Sequence, residues 1–488
     1  MPPTPDGTVE SGSAPRGTDA QAHALKPGVL GVTAIAFLVV SAAAPLNLLA
    51  GYGPLGYMVG GLGAPVGFLL AGLVLATFVV GFMAMTRYIH RPGTFYAYVE
   101  HGLGRNLARG AAAVALISYL AIQVGAMGIL ATVTQSLLQN FTGVHIHWAV
   151  LAAVFQLIIW YLGRRGIDVG TKVLGVLLFA EIGILAVIAV CVLAKGGSSE
   201  GVHAGSFAPS SVFTSGMAAS SVVWFGAFLG IEYTAIYRSE TKNPDRTVPR
   251  AAYLSLTFLA VFYCFVSWAV IQAFGDSAIA SAAGQHPTDM MYLVADQYVG
   301  SWAGDVTQLL MVTSSIASGL AYFNAISRYG HSMSTEGMLP ERMSRVHPVY
   351  RSPDVGNLQA ALTLGAIFLF AAAGLDPYTN MTVWMSTPGV LGIIVLMTLT
   401  AVAVVVFFWR KQQAARRRGW ILAASSVSAL LLGTVTYLLI DNIELMTGST
   451  GAVNSVAVVV PFATLVVVTS GSRIRSRRRA AAMAVTDA

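Results

Sequence analysis

The stretch Phe228-Leu229-Gly230-Ile231-Glu232-Tyr233 decides the fold, because it puts a glycine and a carboxylate inside a long apolar segment, about 212–238. A charged side chain within a membrane-length segment is costly and usually serves a function. A glycine beside it tolerates backbone conformations that interrupt a helix. We therefore predict a membrane helix that is broken near Gly230.

A second interruption, Ser41-Ala42-Ala43-Ala44-Pro45, lies near the start of the chain. Pro45 lacks a backbone N–H and clashes with the carbonyl four residues before it. Broken helices at corresponding positions of two halves are the best sequence indication of a transport site at the bilayer midplane. Freed amides can hold an anionic group, and freed carbonyls a cationic one. The alternative is that Pro45 only kinks its helix and Gly230 only permits close packing.

The composition agrees with a membrane protein. The chain has 488 residues, of which 56% are hydrophobic and 10% charged, whereas a soluble domain has about 25% charged residues. Its apolar stretches are continuous and reach the roughly 20 residues of a membrane-spanning helix, unlike the alternating strands of a barrel. We predict an all-α integral membrane protein with 12 transmembrane helices, at about 28–52, 64–88, 106–139, 147–163, 167–194, 212–238, 248–274, 302–330, 356–374, 379–409, 420–440 and 452–470.

The basic residues predict the orientation. If the first span starts in the cytosol, all 28 Lys and Arg residues except Lys195 fall in cytoplasmic segments or at their edges. Cytoplasmic loops carry this excess, so we expect a multi-pass protein of the cytoplasmic (inner) membrane with both termini in the cytosol. The topology accounts for the net charge of +7, and nucleic acid is not an expected partner.

Four segments follow from this pattern. Residues 1–25 are polar and predict a disordered cytosolic arm, 26–410 a transport core of ten spans, 411–471 two further spans, and 472–488 a basic cytosolic tail. Cys191 and Cys264 lie inside apolar stretches, so we expect no structural disulfide. His145 and His147 lack further metal-ligand residues nearby, so we predict neither a metal site nor a cofactor.

Several sequence motifs, taken together, indicate a known protein family. The run Phe225 to Glu232, followed by Glu240 to Ala251, resembles the sixth-span signature of the amino acid–polyamine–organocation superfamily. The run Pro92 to Tyr98 resembles that superfamily's loop after the second span. The runs Ser318 to Arg328 and Gly337 to Pro340 resemble the region around the end of its eighth span.

The resemblance implies the leucine-transporter-like fold, a 5+5 inverted repeat with broken helices 1 and 6 plus two C-terminal helices. It also implies a permease, not an enzyme, that moves amino acids, amines or related small polar solutes by alternating access. Many relatives have a Gly-Ser-Gly type sequence at the first break, where this chain has the alanines of 41–45. Their methyl groups narrow the approach, so an amine or another small metabolite remains an alternative to an α-amino acid.

The substrate site is expected at the two breaks and on the helices that the resemblance puts beside them. The predicted substrate-binding residues are Ser41, Ala42, Ala43, Ala44, Tyr119, Gln123, Phe225, Phe228, Gly230, Glu232 and Tyr322. Aromatic faces attract ammonium groups, although a phenylalanine in a membrane helix more often packs against neighbours or lipid.

Glu181 and Glu232 are the predicted proton-coupling residues. Glu181 lies within the fifth span, where some proton-coupled relatives have a lysine against the first break, and a buried carboxylate could load a proton outside and release it inside. The hydroxyls of Thr313, Ser314 and Ser315 suggest the alternative of a sodium site, although such hydroxyls also bond back to their own helix. An uncoupled exchanger, a channel and a membrane sensor are further alternatives, and the sequence leaves the oligomeric state open.

Overall fold

The apolar segments form helices throughout the part of the chain that a computed structural model describes, namely residues 31–89, 95–165, 171–232, 234, 241, 243–335, 337–347, 352–410 and 418–486. Side chains are described in these ranges except at 171–174 and 475–486. The predicted arm at 1–25 lies outside them, as do most of the residues 235–242. The described ranges contain no strand, and Val346 and Pro353 form an isolated bridge.

The helices are numbered in chain order. They are α1 (Val32–Ala43), α2 (Gly53–Gly60), α3 (Ala64–Thr86), α4 (Phe95–Leu103), α5 (Arg105–Thr142), α6 (Trp148–Arg164), α7 (Thr171–Ala194), α8 (Pro209–Val212), α9 (Ser215–Ala219), α10 (Ser221–Gly226), α11 (Pro244–Phe274), α12 (Ile279–Gln285), α13 (Met290–Tyr298), α14 (Ser301–Thr335), α15 (Val355–Ala372), α16 (Val383–Arg410), α17 (Arg418–Asp441), α18 (Ile443–Thr447) and α19 (Ala452–Thr486). Two π-helical turns, Asn47–Tyr52 and Pro377–Thr382, precede α2 and α16.

Nine helical runs within the described ranges are long and apolar enough to cross a membrane. The first of them, Val32–Thr86, contains both the first and the second predicted span. The fourth predicted span corresponds to α6, which has 17 residues, and the sixth falls on the short helices α9 and α10. The chain is therefore a multi-pass helical membrane protein, while the total of 12 spans and the inverted repeat stay predictions.

The first helix is broken where Pro45 predicts it. Helix α1 ends at Ala43, and Ala44 adopts the left-handed conformation with φ 44° and ψ 71°. A left-handed alanine costs about 1–2 kcal/mol, so the surrounding structure must hold it. The Ala44 amide donates to the carbonyl of Ser41 at 3.2 Å, which closes the helix with a tighter turn before the π-helical turn begins.

The sixth segment is broken at Gly230. After α10 the amides of Phe228, Leu229 and Ile231 donate to the carbonyls three residues earlier, each at 3.2 Å. Gly230 has φ 104°, a conformation that side-chain-bearing residues rarely adopt. Glycine is therefore required for the turn that separates α10 from the residues after it.

Helices α2 and α3 pack closely on α10 through glycines. Methyl groups added at Gly56, Gly60 and Gly67 would lie 2.6 to 3.0 Å from the indole ring of Trp224, too close for an undisturbed contact. Trp224 also meets Phe68 edge to face, with ring centroids 4.9 Å apart. The indole thus fills a space that the glycines leave open and joins α10 to α2 and α3.

Candidate functional site

A pocket lies where the two broken helices approach each other. Its empty volume is about 460 Å³, a figure that includes the open mouth. The first break, the sixth segment and helices α5, α14 and α16 all contribute to its wall. The lining residues are Ala43, Ala44, Asn47, Leu48, Tyr52, Ile122, Val222, Val223, Gly226, Leu229, Tyr322, Ser386 and Val390.

The polar part of the wall is neutral. The hydroxyls of Tyr52 and Ser386 are 3.4 Å apart, so the first span and α16 meet through a weak contact that a ligand's polar group can replace. Tyr322 of α14 also lines this pocket. These side chains offer hydrogen bonds without a fixed charge.

Asn47 joins the pocket to α14. Its side-chain oxygen accepts a hydrogen bond from Ser315 at 2.9 Å, and its amide nitrogen donates to Ser318 at 3.2 Å. Ser318 in turn donates to the carbonyl of Ser315 at 3.1 Å. All three side chains are buried, so the residue just after the break is held rigidly against α14.

Glu181 lies on α7 beside the same break. Its side chain is buried and accepts a hydrogen bond from the hydroxyl of Ser314 at 2.9 Å. The backbone amide of Leu46, directly after Pro45, is a second donor to this carboxylate. Glu181 therefore connects α7, α14 and the first break, although it does not line the pocket.

Glu232 is bound to the protein's own groups. Its carboxylate, with no exposed surface, accepts hydrogen bonds from the hydroxyl of Tyr119 at 2.5 Å and from the amide of Gly230 at 3.0 Å. The Gly230 amide is one that the helix break leaves without a helical carbonyl. The carboxylate thus ties the broken backbone to α5 and stands behind the pocket wall.

The predicted site residues fall into two groups. Ala43, Ala44 and Tyr322 line the pocket. The others lie at or near the breaks outside its lining, and their roles stay predictions. They are Ser41, Ala42, Tyr119, Gln123, Phe225, Phe228, Gly230 and Glu232.

Two of the outer group have clear packing partners. Gln123 donates to the side-chain oxygen of Gln156 on α6 at 3.2 Å. Phe228 is fully buried and meets Tyr263 edge to face at 6.2 Å. These contacts give both side chains structural roles next to the pocket.

The hydroxyls considered for sodium each donate a hydrogen bond to another oxygen of the protein. Thr313 donates to the carbonyl of Leu310 at 2.9 Å, the back-bonding typical of helical threonine, while Ser314 and Ser315 serve Glu181 and Asn47. In the described ranges no three His, Cys, Asp or Glu residues cluster as metal ligands would. His147 instead caps α6 by accepting the amide hydrogen of Ala149 at 3.2 Å.

Sequence reasoning missed Asn47, Tyr52 and Ser386. Asn47 is the first polar side chain after Pro45 in an apolar run, which is a usable signal for a pocket residue. Tyr52 and Ser386 are 334 residues apart, and nothing in the local pattern of either segment indicates the other.

Comparisons with known proteins agree with this architecture. A family model described as "Amino acid permease" matches residues 30–468. The chain is 31% identical over 161 residues to an uncharacterized transporter of Mycobacterium tuberculosis. It is 27% identical over 143 residues to a branched-chain amino acid permease of Bacillus subtilis, and 26% identical over 184 residues to a low-affinity putrescine importer of Escherichia coli.

These similarities cover only part of each relative. The matched segments make up 33%, 29% and 36% of this chain and 34%, 30% and 38% of the three relatives, in the same order. The family model, in contrast, extends over nearly the whole chain.

Proposed function

This chain belongs to the amino acid permease family, and on that basis we propose that it is a secondary transporter that moves a small amino acid or amine across the cytoplasmic membrane by alternating access. The observation that carries the proposal is the pocket between Ala44 and Gly226, where both broken spans contribute to one wall. Two relatives, a branched-chain amino acid permease and a putrescine importer, are in line with such a substrate.

Substrate binding is proposed to use the main chain at the first break together with neutral side chains. The left-handed Ala44 and the proline after it interrupt the helical hydrogen bonding at the pocket wall. Tyr52, Tyr322 and Ser386 add hydroxyl groups around it. A helix end of this kind can bind a charged group without a counter-ion in the pocket.

Proton coupling is proposed to run through Glu181. No Lys or Arg side chain that the structure describes forms an ion pair with it, and an unpaired charge inside a membrane protein is costly. Taking up a proton removes that charge and turns one carboxyl oxygen from an acceptor into a donor. Because Leu46 and Ser314 donate to this group, its protonation would alter the first break and α14 together.

Proton coupling is preferred to the sodium alternative because Glu181 is a buried carboxylate that can change its charge. The hydroxyls of Ser314 and Ser315 donate to side-chain oxygens and keep their lone pairs as ligands, so a sodium site stays the first alternative. Uncoupled exchange stays the second alternative.

The cytosolic closure is proposed to include the end of α3 and the start of α11. Arg87 and Asp245 form an ion pair of 3.7 Å, and Arg87 also donates to the Asp245 carbonyl at 3.4 Å. Both side chains are more than half exposed, so the pair contributes at most about 1 kcal/mol. A weak contact of this kind suits a gate that must open in every cycle.

The test is uptake of a panel of labelled amino acids and amines into proteoliposomes with an imposed pH gradient. One transported proton per substrate gives about tenfold accumulation per pH unit, and two protons about a hundredfold. Glu181→Gln should abolish gradient-driven accumulation while substrate exchange persists. Glu341→Gln, on an exposed turn after α14, is the matched control and should accumulate normally.

Other outcomes decide between the alternatives. Normal accumulation by Glu181→Gln refutes the proton role of this residue. Accumulation that follows a sodium gradient and ignores pH supports the sodium symporter. Flux that neither saturates nor accumulates indicates a channel.

A further inference from the structure

The chemistry of the pocket wall identifies a narrower class of substrate. We infer that the chain transports a neutral amino acid with an aliphatic side chain, which lies against α10 while its charged end faces the first break. This inference rests on the proposed transport function and goes beyond it by excluding cationic amino acids and polyamines.

The first argument is the absence of charge from the lining. All 13 residues that line the pocket are neutral. The two buried carboxylates nearby are occupied, Glu232 by Tyr119 and Gly230, and Glu181 by Ser314 and Leu46. An additional ammonium group on a diamine or on arginine would enter a low-dielectric site without a partner, which is strongly unfavourable. A zwitterion has no net charge, and its two charged groups lie next to each other.

The second argument is the aliphatic face of the sixth segment. Val222, Val223 and Gly226 of α10 line the pocket together with Leu229 in the turn after it. Val390 of α16 and Ile122 of α5 complete an aliphatic surround. The polar residues Asn47, Tyr52, Tyr322 and Ser386 come from other elements, so the part of the wall that the sixth segment contributes is entirely apolar.

Gly226 provides the space in this face. A methyl group added there would meet only Val390, at 3.6 Å, within 4 Å, which is an ordinary van der Waals contact. The position therefore tolerates alanine sterically, in contrast to the crowded glycines around Trp224. The extra methyl would take up room that a branched aliphatic side chain needs.

The test is counterflow in proteoliposomes of the purified full chain. Vesicles preloaded with unlabelled L-leucine, L-alanine, L-arginine or putrescine are mixed with the same labelled solute. We expect saturable exchange of leucine and alanine, and no exchange of arginine or putrescine. Exchange of arginine or putrescine without leucine overturns this inference but leaves the proposed function intact. If folded protein exchanges none of the four solutes but transports another solute of the uptake panel, the inference alone fails. If it transports no solute of that panel, the proposed function fails as well.

Variants test the assignment of the wall. Gly226→Ala should weaken leucine binding about tenfold, since one methylene in an apolar pocket has an effect of this size, and should affect alanine much less. Gly433→Ala is the matched control, because no atom lies within 4 Å of the added methyl. If Gly226→Ala does not fold, Val223→Thr, which keeps the shape and adds a hydroxyl, should weaken leucine binding several-fold. Unchanged leucine affinity in the folded variant refutes the assignment.

Discussion

Removing the hydroxyl of Tyr119 should destabilise the protein through the sixth-segment break. This hydroxyl donates to Glu232 at 2.5 Å, and the other oxygen of Glu232 holds the amide of Gly230 at 3.0 Å. The side chains of Tyr119 and Glu232 have almost no exposed surface, so water cannot replace the lost donor. A hydrogen bond to a charged group contributes about 1.5–3 kcal/mol, and we expect Tyr119→Phe to lower the free energy of unfolding by about 2 kcal/mol.

The matched control is Tyr263→Phe. Tyr263 is equally buried, but its hydroxyl has no hydrogen-bond partner among the described residues. Removing an unsatisfied buried hydroxyl should be neutral or slightly stabilising. The two variants delete the same atom from the same residue type, so the difference between them isolates the bond to Glu232.

The assay is equilibrium unfolding in mixed micelles as the fraction of denaturing detergent is raised. A double-mutant cycle with Glu232→Gln should give a coupling free energy of at least about 1 kcal/mol. If Tyr119→Phe is as neutral as Tyr263→Phe, or if the two substitutions are additive, the carboxylate does not hold the break through α5 and the reasoning is refuted.

Two further predictions concern the loop after α7 and the glycine packing around Trp224. The Ser277 hydroxyl, which hydrogen-bonds to Glu200, holds the pKa of that exposed carboxyl below its ordinary value of 4.5, so this attachment is present above pH 4.5 and is lost as the pH falls below it. Hydrogen exchange at residues 196–205, corrected for intrinsic rates, should rise in that window, and Glu200→Gln should remove the pH dependence. Gly67→Ala would put a methyl 2.6 Å from the Trp224 ring and should destabilise by about 1–3 kcal/mol in the same unfolding assay. Gly433→Ala should not destabilise, and equal effects of the two would contradict the packing argument.

The two helix breaks could be predicted from sequence because their causes are local. Pro45 cannot donate a helical hydrogen bond, and the φ of 104° at Gly230 needs a residue without a side chain. The apolar helices themselves follow from composition. The bounds of the short helices α6, α9 and α10 could not be predicted, because the ends of these helices depend on what packs against them.

The pocket lining was predicted less well than the breaks. Tyr322, Ala43 and Ala44 line it, but so do Asn47 and Ser386, which the sequence analysis did not single out. Asn47 finds its partners Ser315 and Ser318 at separations of 268 and 271 residues. Such contacts arise from the packing of helices, and no periodicity within one segment contains them.

The positions of Glu181 and Glu232 explain why the buried acidic residues in the sequence indicated the region of the site but not the residues that line it. A break in a membrane helix leaves amides that neither lipid nor water can satisfy, and a carboxylate is the strongest side-chain acceptor for them. Glu232 accepts from Gly230 at the sixth break, and Glu181 accepts from Leu46 at the first. Both acids therefore lie next to the breaks for a structural reason, whatever they contribute to coupling. The described residues that line the pocket are neutral, in line with the zwitterionic solute inferred above, since a fixed charge would bind one of its charged ends at the expense of the other.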